Sequence, residues 1–269
     1  MDNPEYRMLL KYISDKISID GSLYKDRPFK RRLAVRMRFV NIQTYGEYLS
    51  YLKENKNEME KLKETLTINV TRFFRNRETF DYLENLLSKG YIKGRKNVKI
   101  LSAGSSTGEE AYSLAMICDR INRVYPYEYR IIGIDIDEIA VQKAQKGIYT
   151  EFSLNEVNQE EKEKCFSRVG QNYSILDKYR KNVSFVNIDI KNMDGMLSLG
   201  VFDIIVCRNI LIYFSKDFQE LLLNMFAKML KENGILVLGK VEIIMGSAKK
   251  YYEPLNIKER IYKKSANNS

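Results

Sequence analysis

Apolar positions in the first 66 residues recur every three or four places. Leu9, Leu10, Ile13 and Ile17 form one such set, and Phe29, Leu33, Met37 and Val40 a second. Tyr45, Tyr48, Leu49 and Leu52 form a third, and Met59, Leu62 and Leu66 a fourth. That period is the signature of amphipathic helices, and no strand-like alternation interrupts it. Residues 1–66 therefore read as an N-terminal all-helical domain. Beyond them the pattern changes. Short apolar runs at Val98–Ala103, Arg130–Ile134 (ending on Asp135), Val183–Ile188, Phe202–Cys207 and Ile235–Leu238 read as strands. Amphipathic stretches at Glu109–Asn122, Glu138–Lys146 and Lys216–Lys231 separate several of them. Alternation of strand and helix predicts an α/β fold, with a mostly parallel, Rossmann-like sheet covered by helices on both faces. The tail, Tyr251–Lys264, is expected to add antiparallel edge strands.

One connection is too long. Some 36 residues run from Gly147 to Asn182, where an ordinary helix-to-strand loop takes about 2–6. Glu156–Phe166 has helical spacing and Asn172–Tyr179 suits a hairpin. Residues 147–182 are thus expected to form a small inserted β-subdomain within a second domain spanning 67–269.

Composition narrows the chemistry. The chain has 269 residues and no histidine. Imidazole-based triads and most zinc or non-haem iron sites are excluded, and no metal is expected. Three scattered cysteines (Cys118, Cys165, Cys207) fit neither a zinc site nor a disulfide framework. No apolar run reaches the roughly 18–20 residues of a membrane helix, and no signal-peptide pattern opens the sequence. A cytoplasmic protein is expected. The net charge of +10 suits either a generic solvated surface or an acidic partner, nucleic acid or a carboxylate-rich protein.

The first candidate site is the turn from Ile100 through Gly104 and Gly108 to Glu109 and Glu110. It reads as buried strand, glycine turn and helix start, the place where open α/β sheets hold nucleotide-like ligands. Two carboxylates at a helix N-terminus argue against a phosphate, which needs bare N–H groups there. They suit a ligand with hydroxyls and a positive centre. S-adenosylmethionine has a ribose, an ammonium and a sulfonium, and no phosphate. Asp135, ending the second strand, stands where such sheets bind ribose hydroxyls, although this acid or Asp137 also suits a helix cap. Asn69, Thr71, Arg72, Phe73, Phe74 and Arg75 precede the sheet, reading either as a buried domain junction or as a lid bearing a guanidinium for a carboxylate. Arg208 and Asn209 follow the strand Phe202–Cys207, with Tyr213 shortly after.

Asn-x-Thr-x-Phe-Phe-Arg at 69–75, Ser-Thr-Gly-Glu-Glu at 106–110, Asp-Ile-Asp at 135–137 and Cys-Arg-Asn-x-x-x-Tyr-Phe at 207–214 together resemble the CheR family. These are S-adenosylmethionine-dependent protein-glutamate O-methyltransferases of bacterial chemotaxis, and the resemblance covers nearly the whole chain. It implies a class I methyltransferase sheet behind a helical N-terminal domain. It implies cofactor contacts at Asn69, Thr71, Arg75, Glu110, Asp135, Asn187, Ile188, Arg208 and Asn209. It places Arg75 and Tyr213 near the transferred methyl group. It further implies receptor docking through the basic stretch Lys25–Arg38, where Arg27, Arg31 and Arg38 lie opposite the apolar stripe and Arg32 and Arg36 flank it. Two departures stand out. Members that bind a receptor's C-terminal pentapeptide carry a longer, glycine-containing loop where this chain has only Gly170, so no such tether is expected. Gly239-Lys240-Val241-Glu242 replaces a frequent Gly-His-Ser-Glu. Two rival readings are a nucleic-acid methyltransferase, disfavoured because the proline-containing catalytic loops are absent, and a non-catalytic S-adenosylmethionine-sensing adaptor.

Overall fold

The computed structural model describes residues 3–17, 26–66, 71–91 and 94–266. It divides into two compact units. The first holds the residues up to 69 together with Tyr213–Gln219; the second holds Val70–Ile212 and Glu220–Ser269.

Among the described residues four helices build the first unit: α1 (Pro4–Ile17), α2 (Asp26–Phe39), α3 (Tyr45–Glu54) and α4 (Lys56–Leu66). Their starts follow from local chemistry. Pro4 sits where a missing N–H costs nothing, and the Asn3 side chain accepts from the amides of Glu5 and Tyr6. Thr44 and Glu47 form a reciprocal capping box at α3. The apolar stripes converge: Leu9, Ile13, Leu33, Tyr48, Leu52 and Leu62 are buried together.

Two arginines join that core. Arg31 and Arg38 are exposed, but Arg32 and Arg36, flanking the apolar stripe, are drawn inside. Arg36 grips both oxygens of Glu58 at 2.9 and 2.5 Å. The Tyr48 hydroxyl donates to the same carboxylate at 2.8 Å. Glu58 holds the Arg36 guanidinium above its usual pKa, and burial followed by Glu58 pushes the Tyr48 phenol up. Arg32 donates to the Leu66 carbonyl. The side chain of Arg27 lies outside the described residues.

The second unit contains α5 (Arg77–Leu86), β1 (Asn97–Ala103), α6 (Glu109–Asn122), β2 (Glu128–Asp135), α7 (Glu138–Lys146), β3 (Ile148–Tyr149) and α8 (Gln159–Cys165). It continues through β4 (Phe166–Val169), β5 (Asn172–Ile175), α9 (Asp177–Arg180), β6 (Val183–Asn187), α10 (Met193–Ser198) and β7 (Phe202–Cys207). Last come α11 (Lys216–Met229), whose first turn groups with the first unit, and β8 (Leu230–Leu238), β9 (Tyr252–Asn256) and β10 (Ile261–Lys264). The main sheet has the order β6-β2-β1-β7-β8-β10-β9. The first five strands run parallel; β10 runs antiparallel to β8, and β9 antiparallel to β10. The chain order reverses between β1 and β7. In open parallel sheets the ligand crevice lies at the strand ends beside such a reversal.

Residues 147–182 carry a second, three-stranded sheet, β3-β5-β4. Its details correct two expected boundaries. The hairpin strand ends at Ile175, because Asp177–Arg180 coils into a helical turn. The preceding helix starts only at Gln159, where Asn158 and Glu161 form a capping box. Likewise α11 stops at Met229, since Leu230 already pairs with Phe202.

Removing one partner of a buried ion pair strands the other charge, at a cost of about 3–5 kcal/mol. Arg36→Ala should destabilise the helical unit by about that amount, and adding Glu58→Gln should recover much of the loss. Urea unfolding followed by circular dichroism measures both.

Candidate cofactor site

The turn after β1 is built from positive φ angles: Gly104 at 71°, Ser106 at 50° and Gly108 at 95°. The amides of Gly104 and Ser105 both donate to the Ile134 carbonyl at 2.8 Å, which binds the turn to the end of β2. Gly108 is obligatory for a second reason. A Cβ there would stand 2.9 Å from Ala144 Cβ and from Phe185 Cζ, so α6 starts close against its neighbours only with glycine.

The two glutamates after this turn have different surroundings. Glu109 is 2% exposed and accepts from Thr107 Oγ1 at 2.6 Å and Ser153 Oγ at 3.1 Å. It fastens α6 to the inserted segment. Glu110 accepts from Ser102 Oγ at 2.8 Å and from Arg208 Nη1 at 3.3 Å, facing the β1–β7 side.

Asp135 and Asp137 also divide their work. Asp137 caps α7, accepting from Ile139 and Ala140. Asp135 accepts from the Ser106 amide at 2.8 Å and the Asp137 amide at 2.9 Å, so it belongs to the glycine turn. Asn187 donates to the carbonyls of Asp135 and Ile136, and the Ile188 amide to that of Asp135.

The end of β7 completes the cluster. Arg208 is 6% exposed. Its Nη2 donates to the Arg75 carbonyl at 2.6 Å and to Asn76 Oδ1 at 3.0 Å, and its guanidinium lies 5.0 Å over the Phe80 ring. Arg208 therefore ties the segment before the sheet to Glu110. That segment is itself anchored: Phe73 and Phe74 are fully buried, and their amides donate to the Ser153 carbonyl and to Ser113 Oγ. Asn209 adopts φ 62°.

The fold thus gathers Arg75, Glu110, Asp135, Asn187, Ile188, Arg208 and Asn209 around the ends of β1, β2, β6 and β7. Thr71 is half-buried just ahead of the two phenylalanines. Asn69 lies outside the described residues. Tyr213 groups with the first unit, where the Arg32 guanidinium lies 4.3 Å from its ring centre.

Glu242 is a buried carboxylate of this site that the sequence alone does not reveal. It is 3% exposed, and Oε2 accepts from the amides of Asn209 at 3.1 Å and Gly239 at 2.6 Å. The one available signal is its position closing Gly239-Lys240-Val241-Glu242. The two unusual residues of that stretch point elsewhere. Lys240 pairs with Glu259, which also accepts from Thr79 Oγ1, and Val241 is exposed.

Two family models cover the chain, the CheR methyltransferase all-alpha domain at residues 4–67 and the CheR methyltransferase SAM binding domain at 69–261. The chain belongs to the CheR methyltransferase family. It is similar to a chemotaxis protein methyltransferase of Listeria monocytogenes, 33% identical over 248 residues, covering 91% of this chain and 92% of the relative. A Salmonella typhimurium protein of the same name is 29% identical over 248 residues, covering 90% and 84%. An Escherichia coli one is 28% identical over 247, covering 90% and 85%.

This CheR protein is accordingly a methyltransferase that uses S-adenosylmethionine, and the charge of its site fits that cofactor. Burial, the leading cause in each case, pushes the carboxyls of Glu110, Asp135 and Glu242 above the usual carboxylate range. Arg208 is the one cation paired with any of the three among the described residues. Acids therefore exceed bases, which disfavours phosphate and favours a cationic ligand. Ser105 Oγ, buried in the turn, has no hydrogen-bond partner. Among the described residues no acid or thiol cluster is arranged to hold a metal, and no helix is long and apolar enough to cross a membrane.

A raised carboxyl pKa means the folded chain binds the proton more readily than the unfolded chain. Such a group opposes folding once ionised, so its penalty grows as pH rises from the ordinary value near ~4 through the raised one. Asp135→Asn should therefore compare more favourably with wild type in melting temperature at about pH 7.5 than at about pH 5. Binding of S-adenosylmethionine to wild type should run the other way, weakening as the carboxylates protonate. Scanning calorimetry and titration calorimetry across that range test both signs.

Proposed function

We propose that this chain methylates glutamate side-chain carboxylates on methyl-accepting chemotaxis receptors, in the cytoplasm, as part of sensory adaptation. The observation that carries this reading is a buried, acid-rich cofactor site in a chain without histidine. A glutamate with an ordinary pKa near ~4.3 is already ionised at neutral pH, so the acceptor needs no general base. S-adenosylmethionine supplies a methyl group on a sulfonium, a good leaving group. What this chain must add is position, and well-oriented alignment supplies about 7–11 kcal/mol.

The residues take these proposed roles. Asp135 binds the ribose hydroxyls. Asn69, Thr71, Arg75, Glu110, Asn187, Ile188, Arg208 and Asn209 complete the cofactor contacts. Arg75 steers the incoming carboxylate and Tyr213 shapes the space around the methyl group. Arg27, Arg31 and Arg38 of α2 dock the acidic methylation helices; the exposure of Arg31 and Arg38 supports this for those two. The turn between β4 and β5 is only Gly170 and Gln171, which supports docking without a pentapeptide tether.

Transfer of labelled methyl from S-adenosylmethionine to receptor fragments, and not to RNA, is the expected result. Arg75→Ala should lower turnover by one to two orders of magnitude, about the value of a charge-assisted contact, with cofactor binding measured alongside. Full turnover in that variant rejects the steering role. Neutralising Arg31 and Arg38 together should raise the KM for receptor and flatten its salt dependence, leaving the KM for cofactor unchanged.

A further inference from the structure

We infer that Glu242 is a positioning residue for the cofactor, acting through the backbone of Asn209. The inference rests on the proposal that Arg208 and Asn209 contact S-adenosylmethionine.

Asn209 is held in the left-handed region at φ 62°, a conformation that asparagine reaches more readily than most L-residues. Glu242 does the holding. The last paired residues of β7 and β8 are Cys207 and Leu238. Beyond them the two strands no longer share a hydrogen-bond ladder. There the single oxygen Oε2 accepts from Asn209 and from Gly239, one amide from each strand's exit. The amides of Leu211 and Ile212 further favour the ionised carboxylate. One side chain thus closes the gap between two strand ends and sets the path of residues 209–212.

The fit leaves no spare room. A Cβ on Gly239 would stand 2.7 Å from Glu242 Oε2 and 2.9 Å from the Asn209 nitrogen. Among the described residues no lysine or arginine pairs with Glu242, so peptide N–H groups rather than a cation stabilise its charge. Oε1 has no hydrogen-bond partner. An ionised carboxylate buried on those terms is costly. A neutral amide would be cheaper to bury, and its one oxygen could take the place of Oε2, but its NH2 group would then replace the second oxygen in a setting where the Leu211 and Ile212 amides favour a carboxylate.

Four variants test this: Glu242→Gln, Gly239→Ala, Asn209→Ala and the double Glu242→Gln/Asn209→Ala. Binding of S-adenosylmethionine is measured by titration calorimetry below the melting temperature, and steady-state kinetics separate the two substrates. Glu242→Gln should weaken cofactor binding about tenfold or more, the usual effect of losing a charged hydrogen-bond partner. It should raise the KM for S-adenosylmethionine and leave the KM for receptor unchanged. The double variant should bind no more weakly than the weaker single one, because both changes interrupt the same path. Gly239→Ala keeps the carboxylate but crowds it, and should reproduce the loss. It carries the test if Glu242→Gln does not fold. Cofactor binding within twofold of wild type in both Glu242→Gln and Gly239→Ala overturns the inference, as do fully additive losses or an equal rise in both KM values. If Asn209→Ala binds normally, the reading of Asn209 as a cofactor contact falls, and the inference with it. If Asn209→Ala binds weakly and Glu242→Gln binds normally, the inference alone falls.

Discussion

The cofactor end of the sheet depends on one buried guanidinium. Arg208 leaves the end of β7 with almost no solvent around it; its Nη1 donates to Glu110 and its Nη2 to the Arg75 carbonyl and Asn76, while its buried Nε has no hydrogen-bond partner among the described residues. A guanidinium cannot shed its proton to escape burial. It must be met by acceptors, and here those acceptors come from segments more than 90 residues distant in sequence. Satisfying it brings Arg75, Asn76 and the start of α6 to one place.

Around that cation the protein places more acid than base. Glu110 and Glu242 both face Cys207 closely enough to join burial in raising its thiol pKa. Asp135 adds a third carboxylate beside the glycine turn. Asp135 and Glu242 are stabilised by hydrogen bonds from backbone amides, and Glu110 first by the Arg208 cation and then by the Ser102 hydroxyl. Negative potential is therefore preorganised by backbone geometry, at some expense to stability, in the place where a cationic cofactor is used.

Much of this was legible in the sequence, and for definite reasons. The turn at Gly104 and Gly108 shows itself because positive φ selects glycine and because an apolar strand and an amphipathic helix flank it. Asp135 and Asp137 were both visible, but only the fold assigns the cap to one and the turn amide to the other. Arg208 announced itself as a polar residue at a strand end. Its role as a tie did not show, because its acceptors include a backbone carbonyl, which carries no side-chain signature. Glu242 was hidden for the same reason: the donors around it are peptide groups. In the helical unit, periodicity placed Arg32 and Arg36 beside the apolar stripe, while their burial depends on Leu66 and Glu58, far along the chain. The helical turn at Asp177–Arg180 was missed because a short polar stretch after a strand reads equally well as more hairpin.

The inserted segment has a consequence for modularity. Ser153, within it, offers its carbonyl to Phe73 and its hydroxyl to Glu109, while the serine that receives Phe74, Ser113, also donates to the Glu109 carbonyl. The segment ahead of the sheet and the excursion in its middle are therefore laced to the same turn of α6. A loop grafted onto a finished domain can be excised and its ends rejoined. This one is part of the frame, and its removal would strip Phe73 of its carbonyl partner and of the Tyr149 and Phe166 rings it packs on, and Glu109 of the serine that fastens the first turn of α6.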